Sequence, residues 1–318
     1  MRALVTGSGG YVGGGLVHTL ADDGWDVHAM VREPAPYLQV EQTVADLVED
    51  TEALNAACSG VDTIVHLAGE NEVVAAGDPV SALAGTIAAT ERVVEAAAAG
   101  GVKRLVYVST VHVYGARMTE GAVLSEDLRV EPRSSYAISR LASEHVAATL
   151  GASGGEVVVL RLTNAVGAPA DPTVDRWTLV ANDLCRQGVR TGALELRSSG
   201  VQHRDFVPLA DVRGIIAAAC RPNAPLPGGT YNRGSGVPTT VRRLAELVQE
   251  AFERCTGTRP ELRAPEPGPS RPEPYLVSVE RAAGHGLRSE TPLEDAIEET
   301  VRFCIEHREA LAREETNE

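Results

Sequence analysis

The sequence predicts an α/β fold: a doubly wound parallel sheet with a smaller, mostly helical C-terminal lobe. Three observations carry that prediction. One is a strand, Ala3-Leu4-Val5-Thr6, that runs straight into the glycine-rich turn Gly7-Ser8-Gly9-Gly10-Tyr11-Val12-Gly13. Another is the alternation of short Val/Ile/Leu-rich runs with Ala-rich helical stretches through the first half of the chain. Runs of that kind suit strands buried on both faces, and their alternation with helices implies right-handed crossovers. The third is size: 318 residues, 43% of them hydrophobic, suffice for one large α/β domain and a smaller lobe.

In the turn, the glycines at 7, 10 and 13 have separate expected tasks. One turns the backbone sharply, one lets it approach a pyrophosphate, and one lets the next helix pack close to the strand. That helix directs its free N–H groups and positive dipole end at the phosphate. Gly7, Gly10, Tyr11, Val12 and Gly13 are therefore candidate cofactor-binding residues. A tight β–α turn with no ligand is the alternative.

Strands are expected at 2–6, 26–31, 41–45, 62–67, 103–109 and 156–162, with helices at 12–23, 50–58, 80–100 and 135–150. After Gly167 the pattern loosens. Helical segments recur at 178–187, 240–255 and 291–312, while the Pro-rich stretches 221–228 and 260–274 read as loops. The charged tail from Arg313 to Glu318 is expected to fray. Residues 1–166 form the expected dinucleotide-binding domain, to which 201–232 return. Residues 167–200 and 233–318 form the expected substrate lobe.

Composition excludes several function classes. A formal charge of −15 and a pI near 5.0 argue against nucleic-acid or anionic-membrane partners, which need basic surface. Any anionic ligand must be met by a few local arginines. The five cysteines (58, 185, 220, 255 and 304) contain no C-x-x-C pair, so we expect reduced thiols in a cytoplasmic protein and no zinc site. The first strand starts at residue 2, leaving no room for a signal peptide, and no apolar run nears the ~20 residues of a membrane span. Lys103 is the only lysine beside 28 arginines, a bias that suggests a high-GC genome.

A second constellation reads as catalytic. Val106-Tyr107-Val108-Ser109-Thr110 ends a strand, where open α/β sheets place their active sites. Tyr136 follows 26 residues later at the start of a helix, and Arg140 lies four positions on, along the same face. A phenol titrating near pH 10 is a poor acid at neutral pH, and a neighbouring cation lowers that value. Hydroxyl, phenol and cation together can protonate a carbonyl oxygen while a nicotinamide delivers hydride. Taken alone, Tyr-x-x-x-Arg is also an ordinary helix pair.

With these residues assembled, the chain resembles an extended short-chain dehydrogenase/reductase of the sugar-nucleotide epimerase/dehydratase family. The spacing G-x-x-G-x-x-G behind Thr6 is that family's variant of the Rossmann turn; a G-x-G-x-x-G from Gly7 would need glycine at Val12. Further matches are Val65-His66-Leu67-Ala68, Gly85-Thr86, Ser109-Thr110-x-x-Val113-Tyr114-Gly115, Ser135-Tyr136-Ala137, Leu160-Arg161-x-x-Asn164-x-x-Gly167, Arg204-Asp205-Phe206 and Tyr231-Asn232-x-Gly234-Ser235-Gly236. The resemblance implies a Rossmann-like fold and makes Thr110 and Tyr136 the catalytic hydroxyls. It sets Leu67 and Ala68 against the cofactor and Asp46-Leu47 by its adenine. It also implies that Asn164, Arg204 and Arg271 hold a nucleoside-diphosphate sugar, and that the protein is a homodimer. A bidentate guanidinium suits a diphosphate. Surface ion pairing is the alternative for Arg204 and Arg271.

Three departures from the family pattern matter. Arginine at 140 replaces the family's lysine; it supplies charge and can bond the cofactor ribose, but it cannot shuttle a proton. Ala82 stands where the family often has an asparagine near the active site. Val111-His112 replaces the Asp-Glu pair of sugar-nucleotide 4,6-dehydratases, which argues against that activity. His112 occupies the slot of a substrate-facing acid, and it reads either as an acid/base or as a histidine packed at a strand end.

The expected function is hydride transfer at a ring carbon of a nucleoside-diphosphate sugar, by a 4-ketoreductase or 4-epimerase. A ketoreductase for a non-nucleotide ketone and a catalytically weak NAD(P)-binding sensor are the alternatives. On the cofactor, the second strand has Val31 where an acid would bond the adenosine ribose, and Arg32 follows. NADP(H) is accordingly expected over NAD(H), with a ribose contact from Glu33 or the Asp46 loop as the rival reading.

Overall fold

The computed structural model describes residues 1–221, 225–269 and 272–313. In chain order the first half runs β1 (Arg2–Thr6), α1 (Gly13–Asp22), β2 (Asp26–Val31), β3 (Glu41–Val44), α2 (Thr51–Ala57), β4 (Thr63–His66), α3 (Glu72–Gly77), α4 (Pro79–Gly100) and β5 (Arg104–Thr110). A short β6 (Val123–Leu124) precedes α5 (Ser135–Ala148), β7 (Glu156–Leu162) and β8 (Asn164–Val166). The remainder is α6 (Val180–Thr191), β9 (Ala193–Glu195), β10 (His203–Pro208), α7 (Leu209–Cys220), β11 (Gly229–Arg233), β12 (Pro238–Thr240) and α8 (Val241–Thr256). It ends with β13 (Glu261–Arg263), β14 (Leu276–Val277), α9 (Glu280–Ala283), α10 (Leu293–Glu306) and α11 (Arg308–Arg313).

Seven strands form one sheet in the order β11-β7-β5-β4-β1-β2-β3, every pair parallel. The order reverses between β1 and β4, and ligands of open α/β sheets bind outside the strand ends at such a point. Alternate residues of each strand enter two cores. Ala3, Val5, Val106, Val108, Val158 and Leu160 pack with Leu16 and Leu20 of α1 and Ile215 and Ile216 of α7. Leu4, Leu105, Tyr107 and Val159 face the other way, onto Leu54 of α2, Val93 and Ala97 of α4 and Ala147 of α5. Burial on both faces is the physical reason these strands read as continuous apolar runs.

The later segments depart from the sequence reading. Helix α7 and strands β9 and β10 lie where the pattern loosens, and β8 just before it. The stretch 260–274, expected as loop, contains β13, which pairs in parallel with β9. A three-residue strand at a sheet edge carries no period long enough to read. The expected helix at 291–312 is two helices, α10 and α11, interrupted at His307. β11 joins the main sheet beside β7, and β10 lies between β8 and β12 in a second, three-stranded sheet. A third core unites α6, α8 and α10 around Trp177, Leu184, Phe206, Leu244, Val248 and Ile297. Of the tail expected to fray, Arg313 ends α11 and 314–318 lie outside the described residues, as do 222–224 of the first Pro-rich stretch. Among the described residues no helix is long and apolar enough to cross a membrane.

Candidate active site and cofactor cradle

At the reversal point the turn after β1 lies against the segment after β4. Gly7 has φ +69, and a Cβ there would come within 2.8 Å of the Ala68 nitrogen, so position 7 requires glycine twice over. At Gly13 a Cβ would lie 2.3 Å from the Gly7 carbonyl oxygen, which is the close packing expected of the third glycine. Gly10 is exposed, and the Gly10 N–H donates to the Gly7 carbonyl at 3.0 Å. No side chain caps the N-terminus of α1. The result is an open, backbone-lined cradle at a positive helix end, and a pyrophosphate fits it.

Tyr11 contributes to this cradle only through its backbone. Its phenol is buried and donates to the Gly167 carbonyl at 2.7 Å, tying the glycine turn to the chain beyond β8. Val12 is half-buried at the helix start. Leu67 and Ala68 line the opposite wall, the Leu67 N–H donating to the Thr6 carbonyl at 3.2 Å. Arg32 follows β2 as expected, with 76% of its side chain exposed, and reaches Glu70 at 3.3 Å. Asp46 is exposed after β3, and its Oδ1 accepts the Val48 and Glu49 N–H groups. Leu47 packs against the core on the α2 side.

Thr110 is the buried last residue of β5, its hydroxyl accepting the His112 N–H at 3.2 Å. Tyr136 opens α5, behind Ser134, whose hydroxyl caps the helix at the Ala137 N–H. The His112 and Tyr136 rings meet edge to face with centroids 6.3 Å apart, and the Arg140 guanidinium carbon lies 5.5 Å from the Tyr136 ring centroid. Thus the structure brings Tyr136, Arg140 and His112 into one cluster at the C-terminal end of β5.

The His112 surface is accessible, yet protein crowds the imidazole. That desolvation, with the Arg204 charge adding to it and Glu72 opposing, holds its pKa below the usual value. Arg140 is buried, which disfavours its charge; the neighbouring Tyr107 and Tyr136 phenols more than offset that, and it stays protonated. Its two terminal nitrogens have partners that sequence could not show, while Nε has none among the described residues. Nη1 donates to the Ala68 carbonyl at 3.3 Å, and Nη2 donates to the carbonyls of Gly69 at 3.2 Å and Glu70 at 3.3 Å. The guanidinium therefore pins the segment after β4.

Arg204 and Asn164 come together on neighbouring strands. The Asn164 amide donates to the Asp205 carbonyl at 2.8 Å, and Arg204 Nη1 donates to the adjacent His203 carbonyl at 3.0 Å. Buried Asp205 holds this corner rigid, accepting the Thr163 hydroxyl and the Ser235 and Gly236 N–H groups at 2.8 Å each. Arg204 is half-buried and forms no ion pair with an acid among the described residues. Arg271, the other expected diphosphate ligand, lies outside the described residues. Sequence reasoning missed Glu72, whose carboxylate takes Arg176 Nη2 at 3.1 Å on both oxygens, and Gly69, which has φ +138. Among the described residues no group of three or more His, Cys, Asp or Glu could hold a metal ion.

A parallel sheet with a glycine cradle at its reversal point, and a Tyr-x-x-x-Arg helix beside it, defines the class of dinucleotide-binding α/β proteins. A family model described as the NAD dependent epimerase/dehydratase family matches residues 3–234, and the chain belongs to that family. It is 30% identical to the GDP-6-deoxy-D-mannose reductase of Pseudomonas aeruginosa over 255 residues, covering 78% of this chain and 79% of that one. Among solved structures, it resembles MoeE5 in complex with UDP-glucose and NAD at a TM-score of 0.81 and 25% identity, covering 98% of this chain and 100% of that one. It likewise resembles RMD from Pseudomonas aeruginosa complexed with NADPH, at a TM-score of 0.79 and 25% identity, covering 96% of this chain and 99% of that one. Relatives include sugar-nucleotide epimerases, dehydratases and reductases, and those solved with a dinucleotide hold NAD or NADPH. A nicotinamide cofactor is the family's common element.

Proposed function

We propose that this protein is an NAD(P)-dependent oxidoreductase that acts on a nucleoside-diphosphate sugar at C4, as a ketoreductase or an epimerase. One observation carries the reading: Tyr136, His112 and Arg140 cluster at the end of β5, beside Arg204, a cation with no acid partner among the described residues, whose charge acts on His112. Residues 1–166 with 201–232 would bind the dinucleotide, and 167–200 with 233–318 the substrate.

Gly7, Gly10 and Gly13 would hold the pyrophosphate of a dinucleotide, whose nicotinamide would supply hydride to the ring carbon or take it up. For reduction, the Tyr136 phenol gives its proton to the carbonyl oxygen, and in the reverse direction the phenolate takes it back. The Thr110 hydroxyl bonds the same oxygen and fixes its place. Arg140 holds the segment after β4 against Tyr136 without moving a proton, because guanidinium does not release one. His112, neutral at pH 7, accepts a hydrogen bond or a proton. Arg204, with Asn164 beside it and Arg271 from the C-terminal region, would hold the diphosphate.

Arg32, freed from Glu70, would meet a 2′-phosphate, so NADP(H) is proposed over NAD(H); a tenfold or larger binding preference for NAD would defeat this part. A panel of nucleoside-diphosphate sugars and their 4-keto forms tests the whole reading. Stoichiometric cofactor consumption marks a reductase, and interconversion without net consumption marks an epimerase. A second reading, a catalytically weak NAD(P)-binding sensor, is favoured by the engagement of Arg140 donors with three carbonyls. It predicts tight cofactor binding with no turnover across the panel.

A further inference from the structure

Two turns beyond Tyr136, on the helix face that also carries Arg140, lies Glu144, and it is buried. Its carboxylate accepts the Ser109 hydroxyl at 2.5 Å and pairs with buried Arg161 of β7, at 3.0 Å from Nε and 2.7 Å from Nη2. Arg161 Nη1 donates to the Tyr114 hydroxyl at 3.2 Å, and that hydroxyl donates to Asn232 Oδ1 at 2.8 Å. Asn232 Nδ2 then donates to the carbonyls of Leu124 and Ser278 at 3.0 Å each. One continuous chain thus runs from the residue before Thr110, through α5 and β7, to β11 and the β6–β14 pair.

Net stability does not account for such a chain. Two charges taken out of water lose solvation that their mutual attraction barely returns, and an apolar pair of similar volume often does as well. A fully bonded buried network does fix geometry, since its members have no alternative partners. Ser109 adjoins Thr110, and Glu144 shares a rigid helix with Tyr136. We propose that Glu144 and Arg161 are positioning residues, which set the height and rotation of α5 against β5 and so the placement of the Tyr136 phenol relative to the Thr110 hydroxyl. The inference rests on the proposed function for its catalytic consequence.

The test uses the full chain with its dinucleotide and the double variant Glu144→Gln/Arg161→Met, which leaves no buried charge unpaired. Thermal unfolding, cofactor affinity, steady-state kinetics and amide hydrogen exchange are read together. The expected result is a Tm within about 5 °C of wild type and unchanged cofactor affinity. Exchange at residues 109–111 and 135–140 should rise about tenfold. The kcat should fall by about 10- to 100-fold at nearly constant KM, the cost of a misplaced acid. Wild-type kcat, or wild-type protection at both segments, overturns the proposal. If the double variant does not fold, Ser109→Ala decides, since it cuts only the link to β5 and leaves the ion pair. A threefold or larger loss of kcat at unchanged Tm supports the proposal, and wild-type kcat overturns it. If wild type turns over no nucleotide sugar, the functional reading fails, and hydrogen exchange alone decides whether the pair holds α5 against β5.

Discussion

Gly69 and Arg140 are fitted to one another: a Cβ at position 69 would lie 2.9 Å from Arg140 Nη1 and 3.0 Å from its Cζ. The same backbone, at φ +138, is one that side-chain-bearing residues rarely adopt. Gly69→Ala should therefore cost about 1–3 kcal/mol in stability and weaken cofactor binding, because the segment after β4 must shift to clear the guanidinium. Thermal unfolding with and without the dinucleotide measures both effects.

Arg140→Lys follows from the same contact. An ammonium is compact and lacks the guanidinium fork, so it cannot reach the carbonyls of Ala68, Gly69 and Glu70 together. We expect a loss of about 1.5–3 kcal/mol in stability and a lower kcat, the signature of a pocket built around a guanidinium. Retained or raised activity would mark the arginine as a product of composition alone.

Arg204 has no ion pair to lose among the described residues; its removal costs the bond to the His203 carbonyl and its charge beside His112. Arg204→Ala should weaken nucleotide-sugar binding by about 1.5–3 kcal/mol while cofactor affinity holds. Calorimetric titration with each ligand separates the two, and equal losses would make Arg204 structural.

His112 has a depressed pKa, from desolvation and the Arg204 charge, so it is neutral at pH 7 and protonates only on the acid side of its usual value. If it serves as base or acceptor, the rate falls as pH drops through that range, and His112→Gln removes the limb with a loss of about 10²-fold. An unchanged pH–rate profile with a small loss would return His112 to packing.

His66 is buried between the hydroxyls of Thr6 and Thr90, and burial, with the Arg140 charge adding to it, pushes its imidazole down to about 3. The folded state refuses a proton that the unfolded chain accepts. Stability is therefore complete above the unfolded value near 6.5 and is lost progressively as pH falls towards 3. His66→Gln, which can keep the hydroxyl contacts, should flatten that part of the Tm–pH curve.

The sheet was legible because its strands are buried on both faces and alternate with helices long enough to show a period. Gly7 and Gly13 were legible because their backbone positions admit no Cβ. The short strands β8, β9 and β13 were not, since three residues carry no pattern. Tyr136 and Arg140 could be named from spacing and His112 from the family resemblance, but the partners of Arg140 are main-chain carbonyls, which no side-chain motif records. Glu144 was within reach, one further step of four along the face of Tyr136 and Arg140. Its partner Arg161, noted only as a motif residue, becomes adjacent through the β5–β7 pairing.

The central claim is that Tyr136 is the proton donor for hydride transfer on a nucleotide sugar, and Tyr136→Phe tests it most directly. Cofactor binding should match wild type, while turnover of the preferred 4-keto nucleotide sugar falls by about 10²–10⁴-fold. Near wild-type turnover by Tyr136→Phe, with the cofactor bound, would contradict the account.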